Sequence, residues 1–279
     1  MKIVKYLFLI ITLTLFVSCT KHELMYPTDP VGTKAEFQLH YFAPVVNTAA
    51  NYIDSVYVNG VLFSSVSGAG QLLPYNGVPG GATGRFFTVE AGTVQFTLYR
   101  DSTIVYDQSV TLTTGKQNIF IYSFSHAPIV IDNGYPYTEI KTAHGNSSTW
   151  DTDSIETVGF YNFLYENATT PYPGKIQYQY EDARTGEWKN VGKAAAFGES
   201  SGREKIVIVK TVFNSSGYCV INYRMLDENG QVLTLMNSSG GMVNYSDWWT
   251  GYIGRAYMHI FGGIRTATPV ASIRQWTSL

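Results

Sequence analysis

The stretch Asp54-Ser55-Val56-Tyr57-Val58-Asn59-Gly60-Val61-Leu62-Phe63 decides the fold class of this chain. Its flanks have the apolar, β-branched and aromatic side chains typical of β-strands. Asn and Gly both tolerate the positive φ that a two-residue turn between antiparallel strands requires. The stretch therefore predicts a β-hairpin with its turn at Asn59-Gly60.

Short apolar runs of the same kind lie on both sides of this hairpin, separated by turns rich in Gly, Asn, Asp and Ser. They occupy residues 37–42, 85–89, 94–98, 104–106, 110–112 and 119–122. Short strands at intervals of about 8–12 residues are typical of an antiparallel β-sandwich of the immunoglobulin-like or transthyretin-like kind. No segment after the first twenty residues has an apolar stripe at helical spacing, so we predict an all-β fold.

The same order of strand patterns returns in the second half of the chain. Residues 158–163 match 39–42, 176–180 match 55–58, 217–223 match 92–98 and 257–261 match 119–122. We therefore predict a first β-sandwich at residues 35–135, a linker at 136–154 and a second β-sandwich, a diverged repeat of the first, at 155–279. Residues 237–254 are expected to form an insertion in the second unit.

Three segments of the first unit are similar to the DUF4397 family of bacterial surface proteins. They are Asp54-Ser55-Val56-Tyr57-Val58-Asn59-Gly60, Val89-Glu90-Ala91-Gly92-Thr93-Val94-Gln95-Phe96 and Leu112-Thr113-Thr114-Gly115-Lys116. The resemblance covers roughly residues 35–135 and implies a small β-sandwich, often duplicated, at the cell surface. The family has no established activity, so the resemblance implies no chemistry.

The first eighteen residues read as a signal peptide. Lys2 and Lys5 precede an apolar run from residue 7 to residue 17, which as a helix would be roughly 17 Å long, too short to span a bilayer core of about 30 Å. Phe16-Val17-Ser18-Cys19 resembles the lipobox of bacterial lipoproteins, which implies that Cys19 is lipidated and becomes the new N-terminus. The alternative is an ordinary secretory signal with an incidental cysteine.

Residues 19–34 contain prolines and no apolar periodicity, so we interpret them as a lipidated, flexible tether. Thr20, in place of Asp, follows the cysteine. The resemblance to Gram-negative lipoproteins then implies a lipid-anchored outer-membrane protein. These residues do not decide whether it faces the periplasm or the cell surface.

The charge composition gives no indication of a nucleic-acid partner. The sequence holds 19 basic and 21 acidic residues, and only 14% of residues are charged against a typical ~25%. Without a basic stripe, a nucleic-acid partner is not expected.

Cys219 is the one cysteine left after Cys19 and alternates with apolar residues, so we interpret it as a buried strand residue and not as a nucleophile.

No pattern of residues predicts a metal, a cofactor or catalysis. The five histidines are scattered. Asp132-Asn133-Gly134 and Asp227-Glu228-Asn229-Gly230 look like the start of calcium loops but lack the later ligands, so both are interpreted as turns. Acidic residues such as Glu156, Glu166, Asp182 and Glu187 are not placed by the sequence as a pair across a cleft. The chain is therefore expected not to be an enzyme.

The candidate binding residues are aromatic. Trp248 and Trp249 are adjacent, so in an extended strand their side chains point to opposite faces, which would leave one buried and the other exposed. An exposed Trp could stack on a sugar ring or fill a partner's pocket, with Tyr245 and Asp247 as polar neighbours. The alternative is that these aromatic residues pack in the core or cover an open sandwich end.

Three functions of a non-catalytic envelope protein remain open. The first is an interaction or assembly module with an envelope protein partner, and the second is glycan binding. The third is a fimbrillin-like pilus or adhesin subunit, in which residues 266–279 would be donated as a strand to a neighbouring subunit. Residues 266–279 are otherwise expected to form the last strand of their own domain.

Overall fold

The computed structural model describes residues 34–65, 71–77, 86–132, 155–208 and 212–277. The predicted signal peptide, Cys19, nearly all of the tether and the whole predicted linker lie outside these residues. Contacts divide the chain into Met1–Gly32 and one compact unit, Thr33–Leu279. The regular elements described in the second unit are β-strands and one short 3-10 turn, Ala49–Asn51, which confirms the all-β prediction.

Two four-stranded sheets form the first sandwich. Sheet I has the strand order β3-β2-β5-β6 and sheet II the order β4-β1-β7-β8. The bounds of these strands are β1 Lys34–Tyr41, β2 Ser55–Val58, β3 Val61–Ser65, β4 Phe87–Glu90, β5 Gly92–Arg100, β6 Thr103–Leu112, β7 Gly115–Ile121 and β8 Ile129–Asp132.

One five-stranded sheet, one four-stranded sheet and one two-stranded hairpin form the second half. Sheet III contains β10-β9-β18-β19, with β13 also paired to β9, and sheet IV has the order β12-β11-β14-β17. The bounds are β9 Ile155–Asn167, β10 Thr170–Pro171, β11 Gln177–Glu181, β12 Trp188–Asn190, β13 Ser200–Val207, β14 Cys219–Leu226, β15 Thr234–Met236, β16 Met242–Asn244, β17 Ser246–Gly251, β18 Ala256–Ile264 and β19 Ser272–Thr277.

The two halves have the same topology. In each half the first long strand pairs in parallel with a late strand, β1 with β7 and β9 with β18, and the other pairs are antiparallel. Sheets I and IV correspond strand by strand, because β2, β3, β5 and β6 occupy the positions of β11, β12, β14 and β17. The four matches drawn from the sequence join equivalent strands. The two parallel pairs are a departure from the antiparallel sheets that were predicted, since local alternation carries no information on strand direction.

The β-hairpin predicted at Asn59-Gly60 is present. Asn59 and Gly60 have φ of 50° and 76° and join the antiparallel strands β2 and β3. At the other end of the chain, β19 pairs with β18 of its own sandwich from Tyr257↔Thr277 to Gly262↔Ser272. Residues 272–277 of the segment predicted as a possible donor strand therefore form the last strand of their own sheet.

Each sandwich has its own apolar core, and a third cluster joins the two. The first core lies between sheets I and II, and the second lies between sheets III and IV. In the third cluster, the outward face of sheet II meets sheet III: the rings of Phe120 and Phe163 stack with centroids 4.4 Å apart, and Phe42 lies 6.0 Å from Phe163. The order of layers is thus I, II, III, IV, which leaves the outer faces of sheets I and IV open to solvent.

Among the described residues, no helix is long and apolar enough to cross a membrane.

Candidate functional site on the outer face of sheet IV

The two adjacent tryptophans lie in β17 and point to opposite faces of sheet IV, as predicted. Trp249 is 3% exposed, and its indole Nε1 donates to Glu156 Oε1 at 3.0 Å in the core. Trp248 is 55% exposed on the outer face. Residues 246–251 form an edge strand paired with β14, in the position that β6 occupies in sheet I, and not a loop insertion. The extra element of this region is the hairpin β15–β16.

Tyr245 and Asp247 do not accompany Trp248. The ring of Tyr245 stacks on Phe261 with centroids 5.5 Å apart, and its hydroxyl lies 2.8 Å from that of Tyr223. Asp247 is exposed, but alternation along β17 directs it to the same side as Trp249. Of the four predicted binding residues, Trp248 alone reaches the outer face of sheet IV.

A row of four side chains crosses the outer face of sheet IV. Glu181 is paired with Trp188 across β11 and β12, and Asn222 with Trp248 across β14 and β17. Asn222 Nδ2 donates to Glu181 Oε2 at 2.8 Å, which joins the two pairs into the row Trp188–Glu181–Asn222–Trp248. With strands about 4.8 Å apart, the row is roughly 14 Å long, with an indole at each end and hydrogen-bonding groups between them. We call it the Trp188–Trp248 row.

Neighbouring side chains hold this row in place. The Arg224 guanidinium lies over the Trp188 ring at 4.2 Å from its centroid, a cation–π contact. Its Nε donates to Gln179 Oε1 at 2.9 Å, and Gln179 Nε2 donates to Asn190 Oδ1 at 2.8 Å. Connected side chains lose less conformational entropy when a ligand binds, so the surface is organised in advance.

A turn between β11 and β12, stabilised by a buried carboxylate, lies beside the row. Asp182 accepts hydrogen bonds from Arg184 Nη2 at 2.7 Å and from Lys189 Nζ at 2.6 Å. Burial pushes the pKa of Asp182 up, but these hydrogen bonds outweigh it and hold the pKa below its usual range. Beside this turn a recess of about 410 Å³ has Glu181, Asn222 and Val220 in its lining.

The chemistry of this face suits polar, uncharged ligands with an apolar side. An exposed indole offers an apolar face, the Asn222 amide both donates and accepts, Glu181 accepts and Arg224 donates. Such a flat surface, open at both ends, can contact several units of an extended ligand.

Sequence reasoning missed Trp188, Glu181, Asn222 and Arg224. The signal for Glu181, Asn222 and Arg224 was the polar half of two alternating patterns, Gln177-Tyr178-Gln179-Tyr180-Glu181 and the run that follows Cys219, both of which place polar residues on one face. Trp188 lies outside both patterns. The pairing register of β11, β12, β14 and β17 was needed to bring those residues into one row.

Other residues singled out from the sequence have structural roles. Cys219 is buried in β14, as predicted, and burial followed by the nearby Glu156 and Asp182 raises the pKa of its thiol to about 11. Asp227 forms a turn, as predicted, accepting at Oδ1 from the N–H groups of Asn229 and Gln231 at 2.9 Å. Asn133 and Gly134 lie outside the described residues. Within the described part of the chain, no three His, Cys, Asp or Glu side chains are grouped so that they could hold a metal ion.

Comparison with known proteins does not name a family. No protein-family model matches the chain, and no curated protein matches it. Among solved structures, a candidate cell adhesion protein from Bacteroides uniformis is 9% identical, with 91% of this chain and 99% of that chain covered and a TM-score of 0.24. A Streptococcal ancillary pilin is 12% identical, with 81% and 60% covered and a TM-score of 0.20.

A leucine-rich repeat protein from Bacteroides thetaiotaomicron is 9% identical and has a TM-score of 0.22. The alignment covers 84% of this chain but 26% of that protein, so the chain spans about a quarter of its length. Since these TM-scores are low, the similarities assign no function to this chain.

Proposed function

We propose that this protein is a non-catalytic carbohydrate-binding module of the cell envelope and that the Trp188–Trp248 row is its binding surface. The observation that carries the proposal is Trp248, 55% exposed at the end of a row of hydrogen-bonded polar side chains. Single exposed apolar residues are common on protein surfaces and by themselves indicate no site. Trp248 differs because a row of hydrogen-bonded polar side chains lies beside it.

A carbohydrate fits this surface better than a charged or wholly apolar ligand. A pyranose ring has an apolar C–H face that can stack on an indole and a rim of hydroxyl groups that both donate and accept hydrogen bonds. Asn222, Glu181 and Arg224 offer matching donors and acceptors along the row. Because the row is roughly 14 Å long, an oligosaccharide and not a single sugar would fill it.

The test is glycan-array binding of the purified protein with Trp248→Ala and with Leu62→Ala as a matched control. Leu62 is 51% exposed on the outer face of sheet I, so both variants remove an exposed apolar side chain from a sheet face. We expect Trp248→Ala to weaken binding about 10- to 100-fold, equivalent to about 1.4–2.7 kcal/mol, and Leu62→Ala to bind as the parent does.

Trp248 must be changed alone. Truncation of the buried Trp249 would cost about 3–5 kcal/mol of folding stability, so loss of binding in a double variant would not distinguish a site from an unfolded protein. An array in which no glycan binds, or in which every bound glycan is retained by Trp248→Ala, would count against the proposal.

We further propose that Cys19 carries the lipid that attaches the protein to the outer membrane. Support comes from the Phe16-Val17-Ser18-Cys19 motif after an apolar run. Several acyl chains, at about 0.8 kcal/mol for each buried methylene, would give stable anchoring. Cells grown with an alkyne-labelled fatty acid should incorporate the label into the parent and not into Cys19→Ser, with Cys219→Ser as the control. An unlabelled parent protein would exclude this anchor.

A further inference from the structure

A second candidate site lies in the cleft where the two sandwiches meet. The cleft has a volume of about 820 Å³ and receives residues from both halves of the compact unit. The first sandwich contributes the segments after β1 and β7, including Val45, Tyr122 and Phe124. The second contributes Tyr165 of β9 and Phe197 before β13. The volume lies within the range of about 300–1,000 Å³ typical of small-molecule sites.

The aromatic walls of this cleft are held rigidly. Tyr165 Oη donates to the Tyr122 carbonyl at 2.6 Å, which ties the two sandwiches together at the floor of the cleft. The Phe197 ring meets Tyr122, Phe163 and Tyr165 edge-on, with centroids 5.5, 5.7 and 5.0 Å apart. Since these rings are packed against both halves, the cleft exists before any ligand enters.

One end of the cleft carries a group of hydrogen-bonding side chains. Ser123 Oγ lies 2.9 Å and Ser125 Oγ 3.1 Å from His126 Nδ1, and the two hydroxyls lie 3.1 Å apart. Hydroxyl groups can donate or accept by rotating, so this triangle can adapt to a ligand's hydroxyl or carbonyl. Apart from His126, the described residues that line the cleft are uncharged, so a charged ligand would be buried without a partner.

We propose that this cleft binds a neutral, planar, apolar small molecule that carries a hydroxyl or carbonyl group. The ring system would pack between Phe124, Phe197 and Tyr122, and its polar group would meet the Ser123–Ser125–His126 triangle. The site is separate from the Trp188–Trp248 row, since the two share no lining residue.

The probe for this proposal is 2-naphthol, followed by saturation-transfer NMR and by fluorescence titration of the purified protein. We expect a dissociation constant on the order of 1 mM, as for a ligand of this size. Ala168→Trp places an indole at the exposed rim of the cleft and should weaken binding about tenfold or more. The double variant Ser123→Ala with Ser125→Ala should weaken it about fivefold through the lost hydrogen bond.

Two controls separate this cleft from the carbohydrate proposal. Ala183→Trp adds an indole to an exposed turn beside sheet IV, and Trp248→Ala removes one from its face. Both should bind 2-naphthol as the parent does. Thermal unfolding of each variant identifies any that fails to fold. The proposal is overturned if 5 mM probe shows no saturation transfer, or if Ala168→Trp binds as tightly as the parent while folded.

Discussion

At the residue scale, the core of the second sandwich contains a buried carboxyl group that links β9 of sheet III to β17 of sheet IV. Glu156, at the start of β9, accepts hydrogen bonds from Trp249 Nε1 at 3.0 Å and from the Tyr252 N–H at 3.1 Å. Burial raises its pKa from 4.5 to about 8, although both hydrogen bonds act in the opposite direction. The hydrogen bond to Glu156 therefore holds the Trp249 ring in the core, while the neighbouring Trp248 stays exposed.

The raised pKa of Glu156 predicts a stability that falls with rising pH. The Glu156 carboxyl keeps its proton up to about pH 8 in the folded protein but releases it near pH 4.5 in the unfolded chain. The contribution of Glu156 to the free energy of unfolding is therefore most favourable below about pH 4.5 and declines as the pH rises toward 8. At 1.36 kcal/mol for each unit of pKa, the loss is on the order of a few kcal/mol.

Glu156→Gln, which cannot ionise, should remove this dependence. Urea unfolding at pH 5, 7 and 9 should show the variant close to the parent at pH 5 and more stable than the parent at pH 9. The exposed Glu228→Gln serves as control and should follow the parent at each pH. A Glu156→Gln protein that loses stability in parallel with the parent between pH 5 and 9 would contradict the argument.

At the element scale, the β2–β3 hairpin depends on one backbone conformation. Gly60 has a φ of 76°, and a Cβ added there would have no atom within 4 Å. A side chain at this position would therefore cost stability through backbone strain and not through a clash. Gly60→Ala should therefore cost about 1–2 kcal/mol in the free energy of unfolding. Gly60→Asn should recover part of that loss, because Asn tolerates positive φ. Urea unfolding of the three proteins at one pH makes the comparison, and equal stability of the Ala variant and the parent would refute it.

The burial of β1, a central strand of sheet II, differs from what its sequence suggests. In Phe37-Gln38-Leu39-His40-Tyr41 the polar residues alternate with apolar ones, which is typical of a sheet with one face in water. Gln38 and His40 are nonetheless fully buried, because sheet II is covered on both faces. Burial lowers the pKa of His40 to about 4, against the opposing effect of its hydrogen bond to Asn118. By contrast, β14 alternates between buried and exposed residues as its sequence predicts.

At the scale of the whole molecule, contact between sheets II and III makes one compact unit of two sandwiches. Gly262 of β18 lies at this contact, and a Cβ there would stand 2.6 Å from Phe42 Cδ1, a fully buried ring. Gly262→Ala should therefore push the sheets apart and cost about 1–3 kcal/mol of stability.

The control for this prediction is Gly241→Ala, whose added Cβ would meet ordinary contacts of 3.7 Å on an exposed turn. Its stability should stay within about 0.5 kcal/mol of the parent. Thermal unfolding followed by both near-UV and far-UV circular dichroism is the measurement. If Gly262→Ala matched Gly241→Ala, sheets II and III would not be packed as tightly as described.

By itself, the sequence determined the all-β fold, the hairpin at Asn59-Gly60, the buried place of Cys219 and the opposite directions of Trp248 and Trp249. These features follow from neighbouring residues, since strand alternation and turn conformation are local properties of the chain. The tertiary structure alone decided the parallel pairs β1–β7 and β9–β18, the burial of His40, and the placement of Trp188 and Trp248 at the two ends of one row. Each of these joins residues far apart in sequence, and local periodicity does not specify which strands become neighbours or which faces a second sheet will cover.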